Sequence, residues 1–152
     1  MASNPVKPNF AELRMLVVGD RDLQQLLVAV LQELGCREVA RAIDTNAAKA
    51  HLVHSANRVD LVICRLNLPE GDGLDVLECQ REHRGATPFL LLAATATGDT
   101  IARAQSLGVS GFLAIPFSAD EMKKRVTTIM ARRLTELAQD AEAPEEDSWL
   151  IE

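Results

Sequence analysis

Three cysteines, Cys36, Cys64 and Cys79, are all that the 152 residues contain. Their odd number and lack of CxxC spacing exclude a disulfide framework and a cysteine zinc site, so they read as reduced, small core or half-buried residues. No apolar run approaches the roughly 20 residues that span a bilayer, and neither a membrane span nor a membrane partner is expected. The opening stretch MASNPVKPNF has no apolar h-region followed by a small-residue cleavage site, which makes the cytoplasm the expected compartment. Glycine-rich phosphate loops are missing too. No GxGxxG follows the first apolar run and no GxxxxGK occurs, which removes the backbone cradle of dinucleotide and P-loop nucleotide binding.

An excess of basic charge is also lacking. The formal net charge is -6, yet residues 138–152 hold six acids (Asp140, Glu142, Glu145, Glu146, Asp147 and Glu152) and no base. That leaves 16 acids against 16 bases in residues 1–137. A neutral body offers no broad basic face for counterion-driven binding, so nucleic acid is not an expected partner. Hydrophobic residues at 47% and charged residues at 25% describe an ordinary globular domain, one that buries roughly 70% of its unfolded surface at this length. The expected organisation is an N-terminal extension (1–12), one domain (13–139) and an acidic tail (140–152) carrying Trp149, Leu150 and Ile151.

Within the domain, short apolar runs alternate with longer amphipathic ones. Met15–Val18, Leu61–Cys64, Phe89–Leu92 and Phe112–Ile115 read as strands buried on both faces, and Glu38–Ile43 as a weaker one. Leu23, Leu26, Leu27, Val30, Leu31 and Leu34 mark a helix closed by Gly35. Further helices are expected from about Thr45 to Ser55, from near Gly73 to before Gly85, from Thr100 to Leu107, and from Ala119 to about Gln139. The last opens on Ser118 and Glu121, spaced as a capping box, and Met122, Val126, Ile129, Met130, Leu134 and Leu137 form its apolar stripe. Pro69 and Gly71 make the segment from Arg65 to Asp72 a loop. Five strands alternating with five helices specify an α/β, doubly wound, five-stranded parallel sheet. In such sheets chemistry lies outside the carboxyl ends of the strands. That places Gly19, Asp20, Asp22, Arg65, Ala93, Ala94 and Ile115 at the candidate site.

The segments LVVGD (16–20), DLVICRLNLPEGDGLDVL (60–77), PFLLLAA (88–94) and GVSGFLAIPF (108–117) together resemble the receiver domain of bacterial response regulators. The combination of Asn67, Pro69, Asp72 and Gly73 with the later GFxxxPF pattern is specific. The resemblance implies the (βα)5 flavodoxin-like fold with strand order 2-1-3-4-5. It also implies a site in which two acids after the first strand and an aspartate after the third hold Mg2+. That aspartate takes a phosphoryl group, which a hydroxyl after the fourth strand and a lysine after the fifth then read. Carried over position by position, the first acid is Gly19, the second Asp20, the acceptor Arg65, the hydroxyl Ala93 and the lysine Ile115.

Four of these five positions have lost the side chain their role requires. A hard cation wants several oxygen ligands, and one carboxylate, with Asp22 as an accessory, makes Mg2+ binding lost or weak. Arginine cannot lose its proton and cannot accept a phosphoryl group as a nucleophile. Arg65 is instead expected to project beside Asp20 and lock the site as an ion pair, the alternative being that it snorkels to solvent. The chain is therefore expected to be a pseudo-receiver of a two-component or related pathway. It is expected to be no enzyme, to need no cofactor or metal, and to act by protein binding. Its partner would be another signalling protein, a histidine kinase or an output protein, with a homodimer through the last helix as a further arrangement. Two other readings stay open: a phosphorelay receiver phosphorylated on another residue such as Asp20 or Asp22, and an effector of a nucleotide second messenger using Lys123, Lys124, Arg125, Arg132 and Arg133.

Phe112 falls on the family's aromatic switch position and is expected to be buried and static. With Lys123, Lys124 and Arg125 it makes the expected switch or partner face. His51 with His54 and Cys79 with His83 have metal-like spacing but no further ligands nearby, and read as solvated helix faces. Thr95, Thr97 and Asp99 read as ordinary loop residues. Trp149, Leu150 and Ile151, set beyond an acidic linker, read as a docking motif for another protein or for the chain's own body.

Overall fold

The computed structural model describes residues 7–54 and 56–142. The docking motif Trp149, Leu150 and Ile151 lies outside the described residues. A short 3-10 turn, Phe10–Glu12, precedes β1 (Arg14–Val18) and α1 (Arg21–Glu33). Next come β2 (Glu38–Ala42), α2 (Thr45–Val53), β3 (Leu61–Arg65) and α3 (Gly73–Arg84). The chain then runs through β4 (Phe89–Ala93), α4 (Gly98–Ser106), β5 (Gly111–Ala114) and α5 (Ala119–Glu142). All five strands are parallel, in the order β2-β1-β3-β4-β5. This is the expected doubly wound sheet.

Strand side chains alternate between two helical layers, as the two-residue period of a strand dictates. Met15, Val17, Ile63, Leu90 and Leu92 face a layer built with α1 and α5, where Leu27, Leu31, Val126 and Met130 meet them. Leu16, Val18, Val62, Cys64, Phe89 and Leu91 face the opposite layer, with Leu52, Leu74, Leu77 and Ala104. Because β1, β3 and β4 are covered on both sides, their sequences are continuous apolar runs.

Several boundaries and environments differ from the sequence reading. Phe10 is buried against the α1/α5 layer, so the turn at 10–12 packs as part of the domain instead of extending from it. Leu26 is 44% exposed, and the buried stripe of α1 takes in Gln24 and Val28 instead. Strand β2 ends at Ala42, and α2 ends at Val53, before Ser55. The segment after β3 is not an irregular loop. Asn67–Leu68 pairs antiparallel with Gly71–Asp72, with Glu70 (φ 61°) and Gly71 (φ 145°) turning the chain between them. Asp72 then caps α3 and exchanges side-chain-to-backbone bonds with Asp75. Helix α4 begins at Gly98, two residues early, because the Thr97 hydroxyl accepts the Thr100 N–H and serves as its N-cap. At α5 the Ser118 and Glu121 box forms reciprocally, and the helix runs 24 residues, to Glu142.

Cys36 and Cys64 are buried, Cys79 is half-buried, and all three are free. Burial pushes the Cys36 thiol up to about 11. Burial, followed by the Asp72 carboxylate, pushes Cys64 up as well. Since the thiolate is the reactive form, iodoacetamide at near-neutral pH is expected to modify Cys79 first, with Cys36 and Cys64 following only on unfolding. Native-state alkylation read by peptide mass spectrometry checks this; Cys64 reacting as fast as Cys79 would contradict the packing.

Candidate functional site

The sheet register gathers the carboxyl ends of its strands on one edge. Val18 lies beside Ala42 and Cys64, Arg65 beside Leu92, and Ala93 beside Ala114. Gly19, Asp20, Arg65, Ala93 and Ile115 are therefore all at or just past strand ends on the same edge. Of these, Asp20 and Arg65 are in direct contact. Arg65 Nη1 donates to Asp20 Oδ2 at 3.1 Å.

Asp20 has a second engagement. As the N-cap of α1, its Oδ1 accepts the Leu23 N–H at 2.8 Å, satisfying one of the donors that every helix start leaves open. The two oxygens of one carboxylate thus hold a helix terminus and a guanidinium. Side-chain exposure of 55% for Asp20 and 31% for Arg65 puts the pair at the surface, where an ion pair contributes about 0.2–1 kcal/mol. Asp22 sits exposed in the first turn of α1.

The backbone at Gly19 is held by two hydrogen bonds. Its N–H donates to Ala42 O at 3.0 Å, and its carbonyl accepts from the buried Gln24 Nε2 at 2.9 Å. The same amide donates to Ala42 O at 3.1 Å, tying the tips of β1 and β2 together. A Cβ placed on Gly19 would lie 2.7 Å from Leu23 Cδ2. The space a side chain at 19 would need is filled by Leu23. On the other side of the site, a Cβ on Gly73 would lie 2.7 Å from the Arg65 carbonyl, and the Gly73 N–H donates to Leu66 O at 2.7 Å. Glycine at 73 is what lets α3 start directly against the end of β3.

Ala93 and Ile115 diverge from each other. Ala93 packs on the α2/α3/α4 layer and Ile115 on the α1/α5 layer. Phe112 is half-buried against the α2/α3/α4 layer, more open than the sequence suggests. The three cations of the expected partner face separate. Lys123 Nζ pairs with Glu33 Oε1 of α1 at 2.6 Å, whereas Arg125 turns to the sheet edge and donates to the Phe112 carbonyl at 2.8 Å. Lys124 and Arg125 line a shallow hollow of about 230 Å3 with Leu113, Glu121 and Thr128. Lys123 belongs to the α1–α5 junction and leaves that face. His51 meets Asn57, and His83 meets the Cys79 carbonyl one turn back. Among the described residues no group of three or more His, Cys, Asp or Glu side chains could hold a metal ion, and no helix is long and apolar enough to cross a membrane.

The sequence profile of the response regulator receiver domain matches residues 15–127. The chemotaxis protein CheY of Pseudomonas aeruginosa is 30% identical over 123 residues, which are 79% of this chain and 98% of that protein. The probable chemotaxis protein CheY of Rhizobium etli is 27% identical over 121 residues, 78% of this chain and 92% of that protein. Among solved structures, the non-phosphorylated HemR receiver domain from Leptospira biflexa superposes with a TM-score of 0.70 at 29% identity, covering 78% of this chain and 94% of that one. A CheY-like receiver domain protein from Methanospirillum hungatei reaches 0.73 at 16% identity over 82% and 99% of the two chains, which speaks to the fold.

The double role of Asp20 separates its two functions by mutation. Asp20→Asn keeps an oxygen for the Leu23 N–H and loses the ion pair, costing at most about 1 kcal/mol. Asp20→Ala also loses the cap and costs about 1–2 kcal/mol more. Urea midpoints of the three proteins check the order; equal losses for both variants would show that the cap is not contributing.

Proposed function

The chain belongs to the response regulator receiver domain family, and we propose that within it this protein is a non-phosphorylatable, receiver-like signalling adaptor that acts by binding another protein. The observation that carries the reading is the contact between Arg65 and Asp20. Arg65 ends β3, at the position where the family's resemblance puts the phosphoacceptor aspartate. A guanidinium has no lone pair to attack phosphorus and keeps its proton throughout the accessible pH range. It also brings a permanent positive charge to the place where a divalent cation would lie.

The donor set does not fit Mg2+. An octahedral hard cation draws on carboxylate oxygens, and of the oxygens here one is bonded to the α1 terminus and the other to Arg65. Gly19 contributes no side chain, and Leu23 occupies the space in which one would stand. Ala93 offers no hydroxyl, and Ile115 lends its side chain to the core.

Receiver domains act with kinases or output proteins, and binding such a protein is the activity left to a receiver fold whose reaction centre is closed by an ion pair. The exposed hollow beside Lys124, Arg125 and Leu113 is one surface available to that partner.

Incubation with acetyl phosphate and Mg2+, read by intact mass, tests the reading. No phosphoryl adduct is expected. An adduct on Asp20, Asp22 or any other residue would overturn it in favour of a phosphorelay role. Arg65→Asp alone is expected to remain unmodified, because it restores an acceptor beside Asp20 but not the first acid, at position 19. Arg65→Asp combined with Gly19→Asp and Leu23→Ala, which vacates the space beside Gly19, is expected to gain Mg2+-dependent modification.

A further inference from the structure

At the pole opposite Asp20 and Arg65, α5 continues past the amino ends of the strands and overhangs a cleft of about 690 Å3. Arg81, Arg132 and Arg133 line it with the apolar residues Pro88, Val109 and Ile129. Arg81 donates to the carbonyls of Leu107, Gly108, Gly85 and Thr87 and to the Gln80 side chain, all neutral acceptors. Among the described residues none of the three arginines is in ion-pair contact with a carboxylate. Glu136 and Asp140, on the exposed face of α5, are the cleft's own acids. They leave it one positive charge in excess. Arg133 and the burial of Arg81 both act against the Arg81 charge, so an added carboxylate would be favoured there. A smaller pocket of about 60 Å3 beside the cleft continues through Arg133 and Pro88 to Leu134 and Leu137, and Leu137 is 43% exposed.

The chain itself carries a segment of matching chemistry. Glu145, Glu146 and Asp147 precede Trp149, Leu150 and Ile151, a block of acids followed by a block of large apolar side chains. Reach permits the match. Arg133 lies nine residues before the end of α5, about 14 Å back along the helix axis. Five extended residues from Glu142 to Asp147 span about 17 Å, and Trp149 reaches further still.

We propose that residues 145–151 fold back into this cleft, with the acids against Arg132, Arg133 and Arg81 and Trp149 against Pro88, Val109 and Ile129. The cleft is then a binding site for an acidic-aromatic peptide, filled in the resting protein by the chain's own segment. The inference is independent of what happens at Arg65.

Trp149 is the single tryptophan and the sequence has no tyrosine, so emission of the full chain reports this segment directly. A blue-shifted emission, shielded from acrylamide and independent of protein concentration, is expected. In Arg132→Glu/Arg133→Glu the emission is expected to move to that of a water-exposed indole. Each lost surface pair weakens docking by up to about fivefold. Raising the salt of the unmodified chain, which shortens the screening length to about 3 Å at 1 M, should act in the same direction and needs no variant to fold. Three results would overturn the proposal: a water-exposed indole in the unmodified chain, shielding that persists through both the double variant and high salt, or shielding that disappears on dilution, the mark of exchange between copies.

Discussion

The carboxylate of Asp20 is the constraint on which the candidate site depends. A receiver fold brings the ends of β1 and β3 within reach of each other whatever residues stand there, because the sheet order makes them neighbours. What occupies those ends then decides the chemistry. Here one carboxylate caps α1 and pairs with Arg65 across the β1–β3 boundary, so the start of a helix and the tip of a central strand share one group. Both oxygens of this acid are engaged within the chain, which is the basis of the proposal that the site takes no cation. The pair is exposed and contributes modestly to stability. Its consequence is positional: it places a paired carboxylate and guanidinium at the carboxyl edge of the sheet.

Around that pair the neighbouring substitutions are consistent with one another. Without an acid at 19, Leu23 can lean over Gly19 and close the gap. With Asp20 already paired to Arg65, a lysine at 115 would add a charge that this carboxylate could not also neutralise, and isoleucine there adds apolar area to the α1/α5 layer instead. Gln24, buried beneath the site, donates its side-chain amide to the Gly19 and Ala42 carbonyls and ties the ends of β1 and β2 together. Among the described residues no buried side-chain nitrogen or oxygen lacks a hydrogen-bond partner.

The sheet was legible in the sequence because β1, β3 and β4 are buried on both faces and leave continuous apolar runs, which no amphipathic helix would produce. The features that escaped are tertiary. Pro69 and Gly71 read as breakers, yet the turn they flank is held by the Thr45 hydroxyl, which donates to the Glu70 carbonyl from another element. Thr97 looked like any small polar loop residue until the Thr100 N–H was placed against it. Helical periodicity marked Leu26 as apolar and could not tell that the core face of α1 had rotated toward Gln24 and Val28. The site positions were legible from the strand pattern, whereas the role each position carries came only from the family resemblance. That Asp20 and Arg65 touch follows from strand order, but that Leu23 fills the space at Gly19 depends on the exact seating of α1, which no spacing encodes. Lys123 was grouped with Lys124 and Arg125 by adjacency, although successive helical residues point about 100° apart and Glu33 draws it to α1.

The two poles of the sheet are built by opposite means, and the difference bears on which of them can respond to a partner. At the carboxyl edge, charge is neutralised internally, one carboxylate against one guanidinium. At the amino edge, Arg81 spends its donors on neutral carbonyls from two loops, fastening the end of α3 to the turn before β5. That arrangement satisfies the geometry of the guanidinium but leaves its charge unanswered, with Arg133 adding to it. A partly buried cation is held at lower cost when an anion arrives. The carboxyl edge, already paired, gains nothing comparable from a new charged ligand. Electrostatics therefore makes the amino-edge cleft the more responsive of the two surfaces to an added anion.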